Sequence, residues 1–297
     1  MRAGKMPIEH EPLEWMPDAV LVSNRRGKIV YANRHAASLT GYRPKDLVGR
    51  NVEVLVPAGV RTRHVQHRRR FYARGVTRPM GTIDNDLRLR RKDGTTIPVE
   101  ISLGPAGNDT VAVIRDVTER QRMEVALEHR ALHDPLTELA NRILFFDRMR
   151  QSVLGARRES YQVALVILDI DAFKAVNDVH GHAVGDQVLQ ELGAKMRKGL
   201  RGTDTAARIG GDEFAWILPR VTSRDAVKRT VRKRMHALQE PTEVDHNTIA
   251  LGLSAGIAIY PDDGRDIDTL MRHADSAMYF AKRENCMLAF HRRGARR

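Results

Sequence analysis

The sequence of 297 residues predicts an α+β protein in which a helix joins two domains. Three observations support this prediction. The first half contains short alternating segments separated by turn residues, which is typical of an antiparallel sheet. The second half alternates helical patterns with strands, one of which is apolar throughout. Between the halves lies a stretch without Gly or Pro, which predicts a helix.

The N-terminal domain is predicted to be an antiparallel sheet with one covered face. Its predicted strands are residues 19–23, 29–32, 87–91, 96–103 and 110–114. Asn33 suits the N-cap of a helix that follows the second strand, and Gly41 suits the end of that helix. Lys92-Asp93-Gly94 predicts a hairpin turn.

The connecting helix is predicted from residue 118 to about residue 133. Met123, Ala126, Leu127 and Ala131 share one face of this helix at the spacing of an apolar stripe. The stripe either pairs with a second copy as a short coiled coil or packs on its own domain. Two heptads do not decide between these alternatives.

The net charge of +13 is unusual, and it lies mostly in the first half. Residues 1–130 have a net charge of +9 and residues 131–297 one of +4. The excess includes the arginines between Arg61 and Arg70. A nucleic-acid partner is not expected, because no helix-turn-helix, zinc-finger or RNA-binding signature accompanies the charge. A solvated helix face is the favoured interpretation.

Cysteine content and hydropathy exclude several classes of protein. Cys286 is the sole cysteine, so an internal disulfide and a cysteine-based zinc site are excluded. No apolar run approaches the roughly 20 residues that span a bilayer, and the N-terminus lacks the apolar core of a secretory signal. We therefore expect a cytoplasmic protein without a membrane span.

Acidic residues follow the most apolar strand of the second half. Residues 163–168 are continuously apolar, which predicts a central strand buried on both faces. Asp169, Ile170 and Asp171 follow directly. Carboxylates at the end of a buried strand are costly unless they are paired or bound to a metal. Carboxylate and carbonyl oxygens suit Mg²⁺, so a metal is favoured over a surface turn.

A second acidic pair follows a predicted hairpin. Gly210 and Gly211 separate two strands, and Asp212 and Glu213 come next. Absent side chains at the two glycines let a ligand approach the backbone closely. A hairpin with acids beside a strand that ends in acids could hold metal ions against a triphosphate, which is the chemistry of nucleotidyl transfer.

At these residues the second half resembles the GGDEF family of diguanylate cyclases, which is named after the motif at residues 210–214. The resemblance covers residues 131–291 in the family's order. The further matching segments are residues 134–137, 141–142, 169–174, 177–178, 181–186, 254–258, 260–264 and 273–282. It implies a palm-like α/β fold and a homodimer that uses Mg²⁺ (or Mn²⁺) to condense two GTP into cyclic di-GMP and two pyrophosphates.

The resemblance also implies roles for the acidic residues. Asp169 and Asp212 would be the metal carboxylates, with the Ile170 carbonyl as a further ligand. Glu213 would assist a second metal or deprotonate the 3′-hydroxyl of GTP. These residues form the expected catalytic and metal-binding set.

Other matching positions would bind the substrate. The backbone amides of Phe173 and Lys174 would meet the terminal phosphates, and Lys282 would add a point charge. Asn177 and Asp186 would recognise guanine rather than adenine. Helix capping is the structural alternative for this last pair.

Four more residues complete the substrate site that the resemblance implies. Leu136 and Leu189 would be apolar walls of the guanine pocket. Gly210 and Gly211 would let the nucleotide approach.

Arg201 and Asp204 fit the family's RxxD site, at which bound product inhibits the enzyme. Arg232 could assist them. A surface ion pair between Arg201 and Asp204 is the alternative.

Three residues depart from the family pattern. Glu138 stands where Gly is usual, and Ala140 stands where Pro is usual. Cys286 replaces an arginine that would contact phosphate, although Arg283 could compensate. Loss of that contact predicts weaker GTP binding and slower turnover.

The first half resembles a PAS sensor domain over residues 11–119. The matching segments are residues 16–20, 27–33, 39–42, 92–94 and 115–120. Residues 1–130 contain no cysteine, so a cysteine–flavin bond is excluded. The stretch around His64 is similar to the haem-bearing helix of oxygen-sensing PAS domains, which implies haem with His64 as axial ligand and Arg70 near a propionate. A packed or surface histidine is the favoured alternative.

The predicted organisation has five parts: an N-terminal tail (1–10), a PAS domain (11–119), a helical linker (120–133), a GGDEF domain (134–291) and a basic C-terminal tail (292–297). The predicted function is that of a PAS-regulated diguanylate cyclase. One alternative is a weakly active receptor for GTP or cyclic di-GMP, which Cys286 supports. A basic nucleic-acid-binding module is the second alternative.

Overall fold

The computed structural model describes residues 11–74, 78–80, 87–244 and 247–292. The predicted tail 1–10 and residues 293–297 of the predicted C-terminal tail lie outside the described residues. The chain divides into two compact units, residues 1–126 and residues 127–297. Each unit combines helices with a largely antiparallel sheet, which confirms the predicted fold class.

The first unit contains one sheet with helices. Its described elements are α1 (Glu11–Glu14), β1 (Ala19–Asn24), β2 (Ile29–Ala32), α2 (Arg34–Thr40), α3 (Pro44–Leu47), two 3₁₀ helices (Val52–Leu55 and Ala58–Val60), α4 (Arg61–Arg74), β3 (Arg78–Met80), β4 (Arg88–Arg90), β5 (Thr96–Ala106) and β6 (Asp109–Asp116). The strand order is β2-β1-β6-β5-β3, and β4 also pairs with β5. All pairings are antiparallel.

Asn33 links the sheet of the first unit to its first long helix. Its Oδ1 accepts hydrogen bonds from the Val20 and Ala36 amides, both at 2.9 Å, and its Nδ2 donates to the carbonyls of Leu13 and Asp18. The side chain is fully buried, and these bonds compensate for the burial of its amide. Asn33 is therefore the N-cap that the sequence predicts, and Gly41 ends the helix at φ +73°.

Helix α5 (Thr118–Leu132) spans the boundary between the two units. The Asp116 Oδ1 accepts from the Thr118 amide at 2.8 Å where the helix begins. No residue of α5 is buried, and Met123 and Leu127 are 55% and 65% exposed. The alternative in which this apolar stripe packs on its own domain is therefore wrong.

The second unit contains a five-stranded sheet between helices. Its described elements are α6 (Arg142–Glu159), β7 (Gln162–Ile170), α7 (Phe173–His180), α8 (His182–Arg197), β8 (Thr205–Gly210), β9 (Glu213–Val221), α9 (Arg224–Gln239), β10 (Thr242–Val244), β11 (Asn247–Ile249), β12 (Leu253–Tyr260), α10 (Ile267–Arg283) and β13 (Leu288–Phe290). The strand order is β13-β12-β7-β9-β8. Only β12 and β13 are parallel among these pairs, and β10 and β11 form a separate hairpin.

Strand β7 is buried on both faces, as its apolar sequence predicts. Val166 and Leu168 contribute to a core with α8 and α9. Leu165 and Ile167 point to the opposite face, where α6 and α10 pack. Because side chains alternate along a strand, Asp169 emerges on the α6 and α10 face. Among the described residues, no helix is both long and apolar enough to cross a membrane.

Candidate active site

The end of β7 lies beside the Gly-Gly turn. Asp169 on β7 is directly opposite Glu213 on β9 in the strand register. The Ile170 amide donates to the Asp212 carbonyl at 3.3 Å, which fixes the turn against the strand end. The structure thus brings together the four residues predicted as catalytic and metal-binding.

The carboxylate of Asp169 lies in an environment that disfavours its charge. Partial burial raises its pKa, the Lys282 ammonium lowers it, and the nearby carboxylates of Asp212 and Asp171 raise it again, so the pKa lies above its usual value. Lys282 Nζ on α10 contacts Asp169 Oδ1 at 2.5 Å. The hydrogen bond to Asp169 in turn raises the pKa of Lys282.

Glu213 has three acidic neighbours. Desolvation raises its pKa first, and Asp275, Asp169 and Asp212 raise it further, while Arg142 opposes them. Asp275 lies on α10 and Arg142 begins α6. Both residues lie in segments that match the family, but the sequence does not predict their role, because only packing of these helices on the same face of the sheet brings them to Glu213.

The donors at this strand end fit a magnesium ion. They are carboxylate and carbonyl oxygens, and the mutual repulsion of the acids is what a divalent cation would relieve. In the described part of the chain, no group of three or more His, Cys, Asp or Glu side chains could hold a metal. Mg²⁺ is commonly bound through one or two carboxylates together with substrate phosphates, rather than by a cage of protein ligands.

The two glycines of the turn face open space. A Cβ atom built on Gly210 or Gly211 would meet no other atom within 4 Å. Internal packing therefore does not require glycine at either position, although the φ of +48° at Gly211 favours it there. The turn is accessible to a ligand that approaches the backbone.

Helix α7 begins next to the acids, as the positions of Phe173 and Lys174 imply. Its N-cap is Ala172, which adopts φ +52° and has no side chain that caps the first amides. Uncapped amides at a helix start are suited to phosphate groups. Lys174 is exposed, and Phe173 packs partly against the core.

The residues expected around guanine lie on α7, α8 and the preceding loop. Asn177 Oδ1 lies over Gly185, only 1.9 Å from the position that a Cβ there would take. Asp186 is exposed at the start of α8, and Leu136 packs partly against the core. Leu189 is 3% exposed and belongs to the core.

The predicted product site is a tight turn whose acid has an internal partner. Asp204 Oδ2 accepts from Arg234 Nη2 at 2.6 Å and from the Arg201 amide at 3.2 Å, and the Asp204 side chain is 5% exposed. Arg201 is exposed. Arg234, which the sequence analysis missed, also lies over the Trp216 ring, whereas Arg232 lies on the exposed side of α9.

A second internal pair holds the Gly-Gly turn. Arg208 donates through Nε to the Gly211 carbonyl at 2.9 Å and through Nη1 to Asp134 Oδ1 at 3.1 Å. Burial opposes the charge of Asp134, but hydrogen bonds from Thr137 and Arg208 outweigh it and lower its pKa. Sequence analysis missed this role of Arg208, although an arginine two residues before the glycines was the available signal.

The departures from the family pattern have visible consequences. Glu138 adopts φ +58°, in the region that favours glycine, and its Oε2 lies 3.8 Å from His129 Nε2. Ala140 donates its amide to the Ala206 carbonyl at 3.2 Å, a bond that proline could not form. Cys286 is partly buried, with its Sγ 3.8 Å from the Leu288 carbonyl.

In the first unit, His64 contacts a partly buried acid. Its Nδ1 lies 3.1 Å from Glu53 Oε1, which also accepts from Arg68 Nε at 2.9 Å. Arg68 is therefore not part of a solvated helix face, whereas Arg69 and Arg70 are exposed. A carboxylate on one ring nitrogen is the usual environment of a metal-bound histidine, so this contact is compatible with haem.

Comparison with known proteins gives two domain matches. The model of the family described as "Diguanylate cyclase, GGDEF domain" matches residues 131–287, and a PAS domain model matches residues 17–119. Among curated relatives, the bifunctional diguanylate cyclase/cyclic di-GMP phosphodiesterase MucR of Pseudomonas aeruginosa is 41% identical over 152 residues, which are 51% of this chain and 22% of MucR. Diguanylate cyclase TpbB of the same organism is 33% identical over 225 residues, which are 72% of this chain and 52% of TpbB.

A solved structure shares the fold of the second unit. The coiled coil and GGDEF domain of DgcB from Caulobacter crescentus, in complex with c-di-GMP, matches with a TM-score of 0.53 and 30% identity, over 58% of this chain and 92% of that one. The chain spans about half of TpbB and about a fifth of MucR. The family model covers more than half of the residues, including the strand end, the Gly-Gly turn and the surrounding acids. The chain therefore belongs to the diguanylate cyclase GGDEF family, with a PAS domain before the GGDEF domain.

Proposed function

We propose that the chain is a diguanylate cyclase that condenses two GTP into cyclic di-GMP and two pyrophosphates. The observation that supports this most directly is the meeting of Asp169, Asp212 and Glu213 beside an accessible Gly-Gly turn. Lys282 contacts only Asp169 among them, so a further cation would relieve their repulsion, and their oxygens suit a hard one. A cytoplasmic location is part of the proposal, because GTP is the proposed substrate.

The acids have distinct proposed roles. Asp169 and Asp212, with the Ile170 carbonyl, would hold Mg²⁺ or Mn²⁺, which would polarise the phosphate and favour the alkoxide form of the attacking 3′-hydroxyl. Glu213 would take the proton of the 3′-hydroxyl. Desolvation and the neighbouring acids raise the pKa of Glu213, which increases its affinity for the proton that a general base takes up.

The substrate would lie between the turn and α7. The first amides of α7, at Phe173 and Lys174, would bind the terminal phosphates, and Lys282 would exchange part of its contact with Asp169 for phosphate oxygen. Asn177 and Asp186 would bind guanine. Asp186 is exposed and therefore accessible to the guanine of a bound nucleotide.

A homodimer is part of the proposal, because the condensation needs two bound GTP molecules that face each other. The exposed apolar stripe of α5, with Met123 and Leu127, is the proposed contact between two copies. Product inhibition at Arg201 and Asp204 is also proposed. Exposed Arg201 would bind the product there, while the Asp204 carboxylate is held by Arg234.

The experiment that tests the proposed activity is product chromatography after incubation with GTP and Mg²⁺. The wild type is expected to form cyclic di-GMP and the Glu213→Ala variant is not, while a Glu243→Ala control, changed at the exposed position of β10, is expected to keep wild-type activity. GTP binding without product in the wild type would instead support the receptor alternative. Absence of both would contradict the proposal.

Haem ligation by His64 stays a prediction of the sequence. If it is correct, the purified protein has a Soret absorbance band that the His64→Ala variant lacks. A colourless wild type prepared with sufficient haem would contradict it. The ultraviolet–visible spectrum of the same preparation answers this question independently of cyclase activity.

A further inference from the structure

The arginine-rich part of the PAS domain forms an open pocket of about 420 Å³. This pocket, called the arginine pocket below, is lined by Arg50, Asn51, Glu53, Val54, Arg61 and Arg90. The lining comes from the segment around the first 3₁₀ helix, the first residue of α4 and the last residue of β4. Its volume lies in the range of small-molecule sites.

The single acid of the arginine pocket is already neutralised within the fold. Glu53 is 13% exposed at its side chain, and its Oε1 accepts from both Arg68 and His64. Burial raises the pKa of Glu53, but the Arg68 hydrogen bond and other contacts outweigh it and hold the pKa below its usual value. Arg68 also donates to the Arg25 carbonyl at 3.2 Å. Glu53 therefore has its cation outside the set of arginines that line the pocket.

The three lining arginines lack this compensation. Arg50 donates through Nε to the Asp46 carbonyl at 2.7 Å, and Arg61 donates through Nε to the Val56 carbonyl at 3.0 Å. These bonds orient the guanidinium groups without neutralising them. Within residues 11–74, 78–80 and 87–244, neither these two arginines nor Arg90 forms an ion pair with a carboxylate.

Three guanidinium groups without an ion-pair partner line this pocket, Arg50 lying also over the Tyr42 ring, and their positive charge favours an anion as ligand. Each guanidinium has five N–H donors in a planar fork that matches carboxylate and phosphate oxygens. The backbone bonds at Nε hold Arg50 and Arg61 in place but leave their terminal nitrogens available for such a ligand. Asn51 adds an amide, and Val54 adds an apolar wall that packs against the domain core.

We propose that the arginine pocket binds a small anion with at least two negative charges, carried by carboxylate or phosphate groups. Such a ligand would contact guanidinium groups from three chain segments at once. A ligand with a single negative charge would neutralise less of the positive charge of the pocket and is expected to bind more weakly. The proposal concerns binding to the PAS domain and does not depend on the activity of the GGDEF domain.

The test is isothermal titration of the full chain, without GTP or Mg²⁺, with inorganic phosphate, succinate and acetate as probes. Phosphate or succinate is expected to bind saturably with a Kd below about 1 mM, and acetate about tenfold more weakly or not at all. Stronger binding of phosphate would identify a phosphorylated ligand, and stronger binding of succinate a dicarboxylate.

Matched variants locate the binding. The double variant Arg61→Gln/Arg90→Gln is expected to lose affinity by about tenfold or more. Its control, Arg63→Gln/Arg69→Gln, removes the same charge from exposed positions of α4 and is expected to bind as the wild type does. Because neither double variant changes the GGDEF domain, phosphate bound by that domain contributes equally to both titrations.

Three results would overturn the proposal. They are no saturable binding of phosphate or succinate up to about 10 mM, unchanged affinity in the pocket variant, and an equal loss in both double variants. Thermal unfolding monitored by circular dichroism verifies that each variant folds. If the glutamine variant does not fold, the variant Arg61→Lys/Arg90→Lys replaces it, because lysine keeps the charge and loses the planar fork. This variant is expected to reduce the affinity by a smaller factor. An affinity equal to that of the wild type would overturn the proposal.

Discussion

Two groups of carboxylates in the GGDEF domain differ in what surrounds them. At the end of β7, Asp169 and Glu213 face each other across neighbouring strands, and desolvation together with neighbouring acids raises the pKa of both. In the second group, Asp134 pairs with Arg208 and Asp204 pairs with Arg234. The first group therefore carries more negative charge than Lys282, its contact at Asp169, neutralises, whereas each acid of the second group has an arginine of its own.

The comparison implies that the first group lowers stability and the second group raises it. Like charges directly opposite each other in a sheet are destabilising. A carboxylate that pairs with a partly buried arginine satisfies that arginine's hydrogen bonds. Substitution of one acid from each group therefore distinguishes function from stability.

The largest effect is expected at Glu213. The Glu213→Gln variant is expected to lose activity by about 100-fold or more, because the amide cannot accept the proton. Its free energy of unfolding is expected to rise by about 0.2–1 kcal/mol, because a like charge opposite Asp169 disappears. Product formation and urea unfolding measure the two effects.

The control for this variant is Glu243→Gln, which makes the same change at the exposed position of β10, a strand of the separate hairpin with β11 rather than of the sheet that contains Asp169 and Glu213. It is expected to leave activity and stability unchanged. A Glu213→Gln variant that is both inactive and less stable than the wild type would mean that Glu213 supports the fold, which contradicts the comparison.

The next effect concerns the paired acid Asp134. The Asp134→Asn variant is expected to lose about 1–3 kcal/mol of unfolding free energy, because Arg208 is left with a weaker acceptor. Urea unfolding measures this loss. Asp147→Asn, at an exposed position of α6, is the matched control and is expected to change stability little.

The loss should depend on pH in a defined direction. The folded-state pKa of Asp134 lies below its usual value, so its stabilisation is present above that usual value, about 4, and disappears as the pH falls through the folded-state pKa. The stability difference between wild type and Asp134→Asn should be constant from about pH 5 to 7 and shrink below about pH 3. A difference that grows in acid would contradict the assignment.

Local signals in the sequence predicted much of the first group and little of the second. The apolar run before Asp169 and the Gly-Gly turn before Asp212 predict a strand end and a hairpin, and their proximity follows from pairing of neighbouring strands. The Asp134–Arg208 pair joins residues 74 positions apart, and no periodicity indicates it. Such pairs depend on tertiary packing.

The inward-facing arginines of α4 and α9 could not be identified from the sequence. Basic residues are so frequent along both helices that the pattern does not indicate which of them face the interior. Packing turns Arg68 towards Glu53 and Arg234 towards Asp204, while Arg232 stays exposed. The prediction from the sequence that Arg68 is solvated is therefore wrong, and the pattern indicates Arg232 rather than Arg234.

A smaller effect is expected at Glu138, which lies in the loop of Asp134. The Glu138→Gly variant is expected to gain about 1 kcal/mol, because glycine adopts a φ of +58° without the penalty of a Cβ. The lost contact with His129 is exposed and contributes little. The midpoint of thermal unfolding measures the gain. A lower midpoint would show that the His129 contact outweighs the backbone strain.

The smallest effect is expected at Cys286, where a cation could be added beside the acids. Cys286 donates its amide to the Ala281 carbonyl at 2.9 Å, next to Lys282, which contacts Asp169. The Cys286→Arg variant is expected to raise kcat/KM for GTP by about three- to tenfold, mainly through KM, because a guanidinium binds phosphate oxygens. Cys286→Ala is the control and should match the wild type. An unchanged or lower kcat/KM in the arginine variant would show that Lys282 and the metal site already supply the positive charge that the triphosphate needs.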